Sequence, residues 1–296
     1  MKKIVLSTIL TSTLFTGTLL AESNKTQTSK EIMHKATKVA TIKANESKVK
    51  LTKEAISSLE LTTDALKNLN DNKLDEAKKN IELALGKLEA ILALKDTPKL
   101  LPIQNKIVVK NFVGTSKDVE IALKEVKELL KEGKVQEAGE LLITIQSEID
   151  ITVINLPLVS YPDALKLASK YIIEEKPDRA KEVLELALST FTEVHQIIPI
   201  PLVNTIELAA AASKISQKDK EQALKYLTSA HDELNKAEKM GYVSKSTTTY
   251  KELHDLIEEI EKEIKGKNKA EKLFDNLAKK LNEFKDNILS SSDKEK

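Results

Sequence analysis

The sequence predicts an all-α chain of successive antiparallel helical hairpins, arranged as a closed bundle or a short solenoid with short extended crossing segments. Abundant Ala, Leu, Glu and Lys, only seven glycines and no tryptophan favour helix over strand. Apolar residues recur at spacings of three and four along most of the chain, which is the period of an amphipathic helix. A similar two-helix pattern also returns at intervals of roughly 40 residues, as in helical repeats.

Residues 1–21 predict a secretory signal peptide. Lys2 and Lys3 form a short basic start, and residues 4–20 carry no charge before Ala21. We expect cleavage after Ala21 and a periplasmic location. An uncleaved membrane anchor is the alternative, and the many Thr and Ser residues of this segment disfavour it.

The charge balance and the cysteine count exclude some classes of protein. The formal net charge is +1, and removal of Lys2 and Lys3 with the signal peptide leaves a chain close to neutral. General nucleic-acid binding needs a basic face, so we expect no nucleic-acid partner. The chain has no cysteine, so stability must come from burial without disulfides. No later segment approaches an apolar run of about 18 residues, so we expect no membrane span after cleavage.

Residues 22–48 are polar and rich in lysine, and predict a tether or a loosely helical arm. A helical-hairpin domain is predicted over residues 49–243, followed by a charged helical extension over 244–296.

The first predicted hairpin turns at Asn70-Asp71-Asn72, since Asn and Asp favour turns. The positions assigned inward are Leu59, Thr62, Thr63, Leu66 and Leu69, then Ala77, Ile81, Ala84, Leu85, Leu88 and Leu92 on the return helix. Residues 97–114 follow, and their prolines and β-branched residues suggest an extended crossing segment, with a short strand as one option.

The second predicted hairpin starts with Ser116 as a helix cap and turns at Gly133, which suits a left-handed residue. Its inward positions are Val119, Ala122, Val126, Leu129 and Leu130, then Ala138, Leu141, Leu142, Ile145 and Ile149. A second apolar extended piece, ITVINLPLVSYP, leads to the next hairpin.

The central stretch, residues 156–202, is read as two helices joined at Pro177, which cannot continue a helix. Its inward positions are Leu165, Ala168 and Ile172, then Ala180, Val183, Leu184, Ala187, Leu188 and Phe191. The last hairpin of the domain has a small-residue face and a return helix, with Ile206, Ala209, Ala210 and Ser213, then Ala223, Leu224, Leu227, Ala230, Leu234 and Ala237.

The extension over 244–296 predicts two strongly charged helices, separated near Gly266. Their stripes are Tyr250, Leu253, Ile257, Ile260 and Ile264, then Leu273, Leu277, Leu281, Phe284 and Ile288. Packing on the chain's own body is favoured over a coiled-coil contact with a partner.

An alanine marks the same early position of the return helices, at Ala77, Ala138, Ala180 and Ala223. The last three are separated by roughly 40 residues, whereas the crossing segment lengthens the first interval. This degenerate repeat suits a closed bundle as well as a superhelix.

No catalytic, cofactor-binding or metal-binding residue is predicted. The G-x-S-x-G elbow, the phosphate-binding loop, the dinucleotide fingerprint and the H-E-x-x-H motif are all absent. A di-iron bundle needs two Glu-x-x-His pairs, and only Glu31 and His34 match. Carboxylate pairs such as Glu258 and Glu259 are common on solvated helices. His195 and His231 could be pH-sensitive contacts, although ordinary surface histidines are favoured. We therefore expect no cofactor and no enzymatic activity.

Three apolar proline segments remain as candidates for binding, LLPI at 100–103, LPLV at 156–159 and PIPLV at 199–203. They could line a groove for a ligand or for unfolded chains. The alternative, which we favour, is that they are crossings packed under the hairpins or at a subunit interface.

The order of DEAKKNIELAL, LLPIQNKIVVKNFVG, KEGKVQEAGELL, INLPLVSYPDALKLA and PIPLVNTIELAAAA resembles the YfdX family of bacterial, typically periplasmic, helix-rich proteins. The resemblance covers about residues 51–240. It implies a stress-linked role, chaperone-like or small-molecule-binding behaviour and self-association, and it implies no catalytic motif. Two departures from the family pattern are the absence of glycine from the last two turns and the extension over 245–296, which lies beyond the resemblance.

We therefore expect a non-catalytic periplasmic binding protein that responds to stress and either shields unfolded chains or binds small apolar molecules. A protein–protein interaction scaffold, using the hairpins and the C-terminal helices, is the alternative.

Overall fold

The computed structural model describes residues 27–46, 50, 52–95, 97–244, 248–266 and 271–291, without the side chains of 248, 249, 271 and 284–291. The predicted signal peptide lies outside these residues, as do the side chains of Phe284 and Ile288.

The chain is mostly helical, as predicted, but it also contains a three-stranded sheet that the all-α prediction lacks. The elements in chain order are α1 (Ser29–Glu46), α2 (Lys53–Asn70), α3 (Leu74–Leu92), β1 (Leu100–Lys110), α4 (Ser116–Lys131), α5 (Val135–Thr144), β2 (Glu148–Pro157), α6 (Tyr161–Ile173), α7 (Pro177–Ser189), β3 (Thr192–Pro199), α8 (Ile200–Ile215), α9 (Lys220–Lys239), α10 (Thr248–Lys265) and α11 (Glu271–Ser291).

The strands pair in the order β1-β2-β3. The Leu158 N–H donates to the Lys99 carbonyl at one end of the first pair, and Lys110 contacts Glu148 at the other. With these contacts at opposite ends of the pair, β1 and β2 run antiparallel. The crossing segment over 97–114 thus contains a strand, in agreement with one of the predicted options.

The third strand corrects the prediction for the central stretch. Helix α7 ends at Ser189, so Phe191 does not belong to its stripe. The sequence TEVHQII is rich in β-branched residues, which fit a pleated sheet better than a helix. The Ser189 hydroxyl also donates to the Leu186 carbonyl in the last turn of α7.

The described chain divides into two compact units, each built from separate segments. Unit 1 contains residues 27–46, 107–150 and those from 196 onward, and unit 2 contains residues 48–106 and 151–195.

Unit 2 is built from two hairpins. Helix α2 packs on α3 and α6 packs on α7, and the hairpins meet through α3 with α6 and α2 with α7. Their core joins aliphatic side chains from all four helices and from both proline segments of this unit. The intervening hairpin, α4–α5, belongs to unit 1. The hairpins thus do not stack in chain order, and the predicted repeat arrangement is not confirmed.

Unit 1 surrounds α8, which packs against α1, α9 and α11, and α10 packs on α9 and α11. The stripe of α10 is buried as predicted, and Leu277 and Leu281 of α11 are buried too. Sequence reasoning missed Phe274, which is buried in the same core.

The predicted tether is a helix over most of its described length. Ile32, Ala36, Ala40 and Ala44 of α1 are buried at spacings of four, and α1 packs on α8. The Tyr226 hydroxyl also donates to the Gln27 carbonyl at 2.5 Å. The prediction gave too little weight to these alanines, whose small side chains let two helices approach closely.

The hairpin turns follow the predicted chemistry at several points. Gly133 has φ +76° and Asn72 has φ 57°, both in the left-handed region. The cap of α4 is Thr115 and not Ser116, because the Thr115 hydroxyl accepts from the Asp118 N–H and the Asp118 carboxylate accepts from the Thr115 N–H.

Some residues assigned inward are exposed. Thr63, Leu130 and Leu142 lie on the surface, whereas Thr62 and Val126 are buried as predicted. Ile149 is buried in β2, since α5 already ends at Thr144.

Candidate functional site

Two of the three proline segments meet at one end of unit 2. The Leu158 N–H donates to the Lys99 carbonyl at 2.9 Å, which places LPLV beside LLPI. The Pro102 carbonyl accepts from the Thr52 N–H at 2.8 Å, immediately before α2. Strand ends and helix ends thus converge here, and we call this region the proline end of unit 2.

The proline end combines buried and exposed aliphatic side chains. Leu101, Leu156 and Leu158 are buried in the core of unit 2. By contrast, Leu94 is 61% exposed and Val159 is 70% exposed. We call these two residues the apolar rim. Small-molecule sites are lined mainly by apolar side chains with a few polar groups, and the apolar residues of the proline end make it the candidate for such a site.

Three hydroxyl groups lie in the core of unit 2. Ser58 and Thr62 of α2 are fully buried, and Tyr161, the first residue of α6, is 2% exposed. Sequence reasoning assigned Thr62 inward and missed the other two. The signal was present, because Ser58 lies three residues after Ala55 and four before Thr62, on the buried stripe of the helix.

The third proline segment lies in unit 1. PIPLV begins α8, and Ile200, Leu202 and Val203 are buried in that helix. This segment is buried in unit 1, but as the first turn of a helix and not as the crossing segment that the favoured alternative predicted.

Unit 1 has a different polar cluster, in which buried charges are paired. Glu233 and Lys236 of α9 form a buried ion pair, and the Asn204 side-chain amide donates to Glu233 at 2.9 Å. Burial raises the pKa of Glu233, while Lys236 acts in the opposite direction. An i, i+3 pair enclosed in this way stabilises its own charges and resembles a structural contact more than an acid–base site.

A second polar cluster of unit 1 involves Tyr242 and the start of β2. The Tyr242 hydroxyl donates to Glu148 at 2.8 Å and accepts from the Ser147 N–H at 3.0 Å. Lys110 contacts the other oxygen of the Glu148 carboxylate at 3.2 Å. These contacts connect the segment after α9 to the sheet. They give partners to the Tyr242 hydroxyl and to both carboxylate oxygens of Glu148.

The histidines considered from the sequence are separated. His195 lies in β3 of unit 2, with its Nδ1 3.1 Å from the Thr152 hydroxyl and its Nε2 3.2 Å from Glu193. His231 lies in unit 1 and meets His254 of α10, with ring centroids 4.2 Å apart in an edge-to-face arrangement. Nothing in the sequence predicted that His231 and His254 are in contact.

The remaining candidates have structural roles. Glu31 accepts from the Thr28 N–H at 2.7 Å and thereby caps α1, while His34 is exposed. Glu258 and Glu259 are exposed, and Glu258 is paired with Lys262 at 3.8 Å. Within the described ranges, no three His, Asp or Glu side chains are grouped so that they could hold a metal ion. None of the helices in the described part of the chain is long and apolar enough to cross a membrane.

Comparison with known proteins finds a family match in the middle of the chain. Residues 58–197 match the family model described as YfdX protein. This segment, 140 of 296 residues, is similar to the YfdX family. It begins at Ser58 and includes both proline segments of unit 2, so the proline end is formed mainly by the matched segment.

A solved structure, of Salmonella Typhi YfdX, is similar to this chain with 15% sequence identity and a TM-score of 0.35. The match covers 51% of this chain and 93% of that one. No curated protein matches the chain.

Proposed function

We propose that this protein is a non-catalytic, stress-associated binding protein of the periplasm that takes up small apolar molecules. The observation that carries the proposal is the proline end of unit 2, where Leu101, Leu156 and Leu158 are buried in an apolar core and the rim residues Leu94 and Val159, close to them in sequence, are exposed. The YfdX assignment of this segment supports a stress-linked binding role. The predicted signal peptide supports the periplasmic location.

Apolar burial supplies the driving force in this proposal. Transfer of apolar surface from water contributes roughly 25 cal/mol for each Å² buried. The rim offers such surface without unfolding, because Leu94 follows α3 directly and Val159 precedes α6. Chaperone-like shielding of exposed apolar surface would use the same side chains.

The proposal is tested with a fluorescent apolar dye, anilinonaphthalene sulfonate, on residues 22–296. We expect the wild-type protein to enhance the fluorescence, and the double variant Leu94→Gln, Val159→Gln to weaken dye binding by about tenfold, since two aliphatic contacts contribute on the order of 1–2 kcal/mol. The matched control is Val113→Gln, because Val113 is 90% exposed and lies in unit 1. Unchanged binding in the double variant would contradict the proposal.

A second candidate, a protein–protein interaction scaffold, is favoured by the α4–α5 hairpin of unit 1. Its large exposed aliphatic residues are Ile121, Leu130, Val135, Leu142 and Ile143. The apolar stripes of α10 are instead buried in unit 1, so the hairpin carries this alternative better than the C-terminal helices do. If the hairpin is the binding surface, the double variant Leu142→Gln and Ile143→Gln would lower the dye signal, and the rim variant would leave it unchanged.

A further inference from the structure

The core of unit 2 contains hydroxyl groups whose hydrogen bonding is incomplete. Ser58 and Tyr161 are at least 98% buried. Neither the Ser58 Oγ nor the Tyr161 Oη has a hydrogen-bond partner among the residues that the structure describes. A buried hydroxyl left without a partner costs about 1–3 kcal/mol, so two of them in one core call for an explanation.

The third hydroxyl of this group, Thr62, accounts for only part of the deficit. Its Oγ1 donates to the Ser58 carbonyl at 2.8 Å, which is an ordinary contact one helical turn back. Burial is the main influence on the pKa of Tyr161, and the nearby Thr62 hydroxyl acts in the opposite direction, but the two hydroxyls do not have the geometry of a hydrogen bond. Thr62 therefore marks the place where α2 and the start of α6 come together.

The surroundings restrict the charge of any guest. The apolar residues that form the core of unit 2 are aliphatic apart from Tyr161. Among the described residues of this unit, the buried polar side chains are neutral and none is charged. Burial raises the pKa of Tyr161 to about 12, so the phenol keeps its proton at neutral pH and can donate it to an acceptor. An ionised guest would lose its hydration without gaining an opposite charge, whereas a neutral one would not.

We infer that unit 2 binds a neutral, largely apolar small molecule with one hydroxyl or carbonyl oxygen, and that the Ser58 and Tyr161 hydroxyls bond to that oxygen. This inference rests on the proposed function, since it names the ligand class for the unit whose rim is described above. Ligand sites between the helices of a bundle commonly combine an apolar lining with a few polar groups that fix orientation. A water molecule offers the same hydroxyl but no apolar body, and the choice of probes separates the two.

The experiment compares para-cresol with toluene, which has the same ring and methyl group but no hydroxyl. Binding to residues 22–296 is measured by ligand-observed saturation-transfer NMR and titration calorimetry. We expect para-cresol to bind about tenfold more tightly than toluene, since a hydrogen bond contributes about 1 kcal/mol or more and 1.4 kcal/mol is tenfold. Tyr161→Phe and Ser58→Ala should each reduce this preference severalfold, and the double variant should abolish it.

The matched control is Tyr171→Phe, on the same helix but only half-buried, which should retain the preference. Each variant removes a single oxygen atom, and circular dichroism with a thermal scan checks that the fold is kept. Equal affinity of the two probes for the wild-type protein, or a preference that survives in the double variant, would overturn the inference. Failure of both probes to bind would mean that the hydroxyls hold water alone, which also overturns it.

The dye titration distinguishes this failure from that of the proposed function. If the dye still binds and the rim variant still weakens it, only the inference about the hydroxyls is wrong. If the rim variant binds the dye as well as the wild type does, the proposed function is wrong as well.

Discussion

At the scale of single residues, the two units differ in their buried charges. Unit 1 pairs its buried charges, as Glu233 and Lys236 show. The described part of unit 2 has no buried charged side chain, and the hydroxyls of Ser58 and Tyr161 have no partners among the described residues. Since unpartnered groups lower stability, these hydroxyls have a cost that a bound oxygen would offset.

Tyr161 should make the protein less stable in alkali. Its pKa is about 12 when folded and 10.0 in the ordinary case. The folded state thus holds the phenolic proton more tightly, and this contribution to stability is present below pH 10 and is lost as the pH rises towards 12. The free energy of unfolding of the wild type should therefore fall across this interval. In Tyr161→Phe, which has no phenol at this position, the fall should be smaller by up to about 3 kcal/mol.

The measurement is urea unfolding of both proteins at several pH values from neutral to strongly alkaline. Tyr242 and Tyr250 also have pKa values raised by burial, so the variant keeps part of the alkaline loss. Tyr171→Phe serves as the control and should follow the wild type. If Tyr161→Phe ran parallel to the wild type at every pH, the buried environment assigned to this phenol would be wrong.

Residue patterns predicted part of this interior. The period of α2 places Thr62 inward, as observed, but a serine was not expected on the same stripe and Ser58 was missed. Tyr161 was missed for another reason, since its burial depends on the packing of α6 against α3 and α7 and on the approach of Thr62, which no local spacing reveals. A tertiary contact of this kind lies beyond single-sequence reasoning.

At the scale of elements, the recurring alanine is the clearest feature that the sequence predicted. Ala77, Ala138, Ala180 and Ala223 are all buried. Each donates its N–H to the carbonyl of the residue four positions earlier, which precedes the first helical residue. The small side chain at this point allows the return helix of every hairpin to start close to its partner.

Two glycines should respond oppositely to substitution by alanine. Gly133→Ala should destabilise the protein by about 1 kcal/mol, because Gly133 has φ +76°, a conformation that disfavours a Cβ. Gly86→Ala should stabilise it by about 1 kcal/mol, because Gly86 lies inside α3 with no atom within 4 Å of an added Cβ.

Chemical denaturation of both variants measures these changes, and each serves as the control for the other because the same side chain is introduced. A stabilising Gly133→Ala would mean that the turn between α4 and α5 does not have the conformation described.

Strands were the elements that the sequence predicted least well. The segment 97–114 was recognised as extended because prolines and β-branched residues interrupt its helical period. Strand β3 was missed because the apolar spacing of α7 continues through Phe191 when only periodicity is read. The β-branched residues after Ser189 favour a strand, and β2 supplies the neighbour with which this strand pairs.

At the scale of the whole molecule, chain order and spatial neighbourhood differ. Hairpins that are distant in sequence, α2–α3 and α6–α7, form unit 2, while the helices at both ends of the described chain belong to unit 1. The hairpins themselves follow from local periodicity. Their assignment to units does not, because every hairpin presents a similar apolar stripe and the selection among partners is made by packing.

The same reasoning explains why the candidate site was only half predicted. LLPI and LPLV were recognised as candidates for binding by their apolar character, and they do lie together. PIPLV looks similar in sequence but begins α8 inside unit 1. Composition alone could not separate the segments that reach the proline end from the one that does not.

The central claim, that unit 2 binds apolar molecules at its proline end, is tested most directly by hydrogen–deuterium exchange of residues 22–296 with and without saturating para-cresol. We predict slower exchange in residues 53–62, 97–103 and 156–165. These ranges contain Ser58 and Tyr161, the paired proline segments and the rim residue Val159. Peptides from α8 and α9 in unit 1 provide the internal reference and should exchange at an unchanged rate. Protection that falls in unit 1, or none anywhere with the ligand bound, would contradict the account.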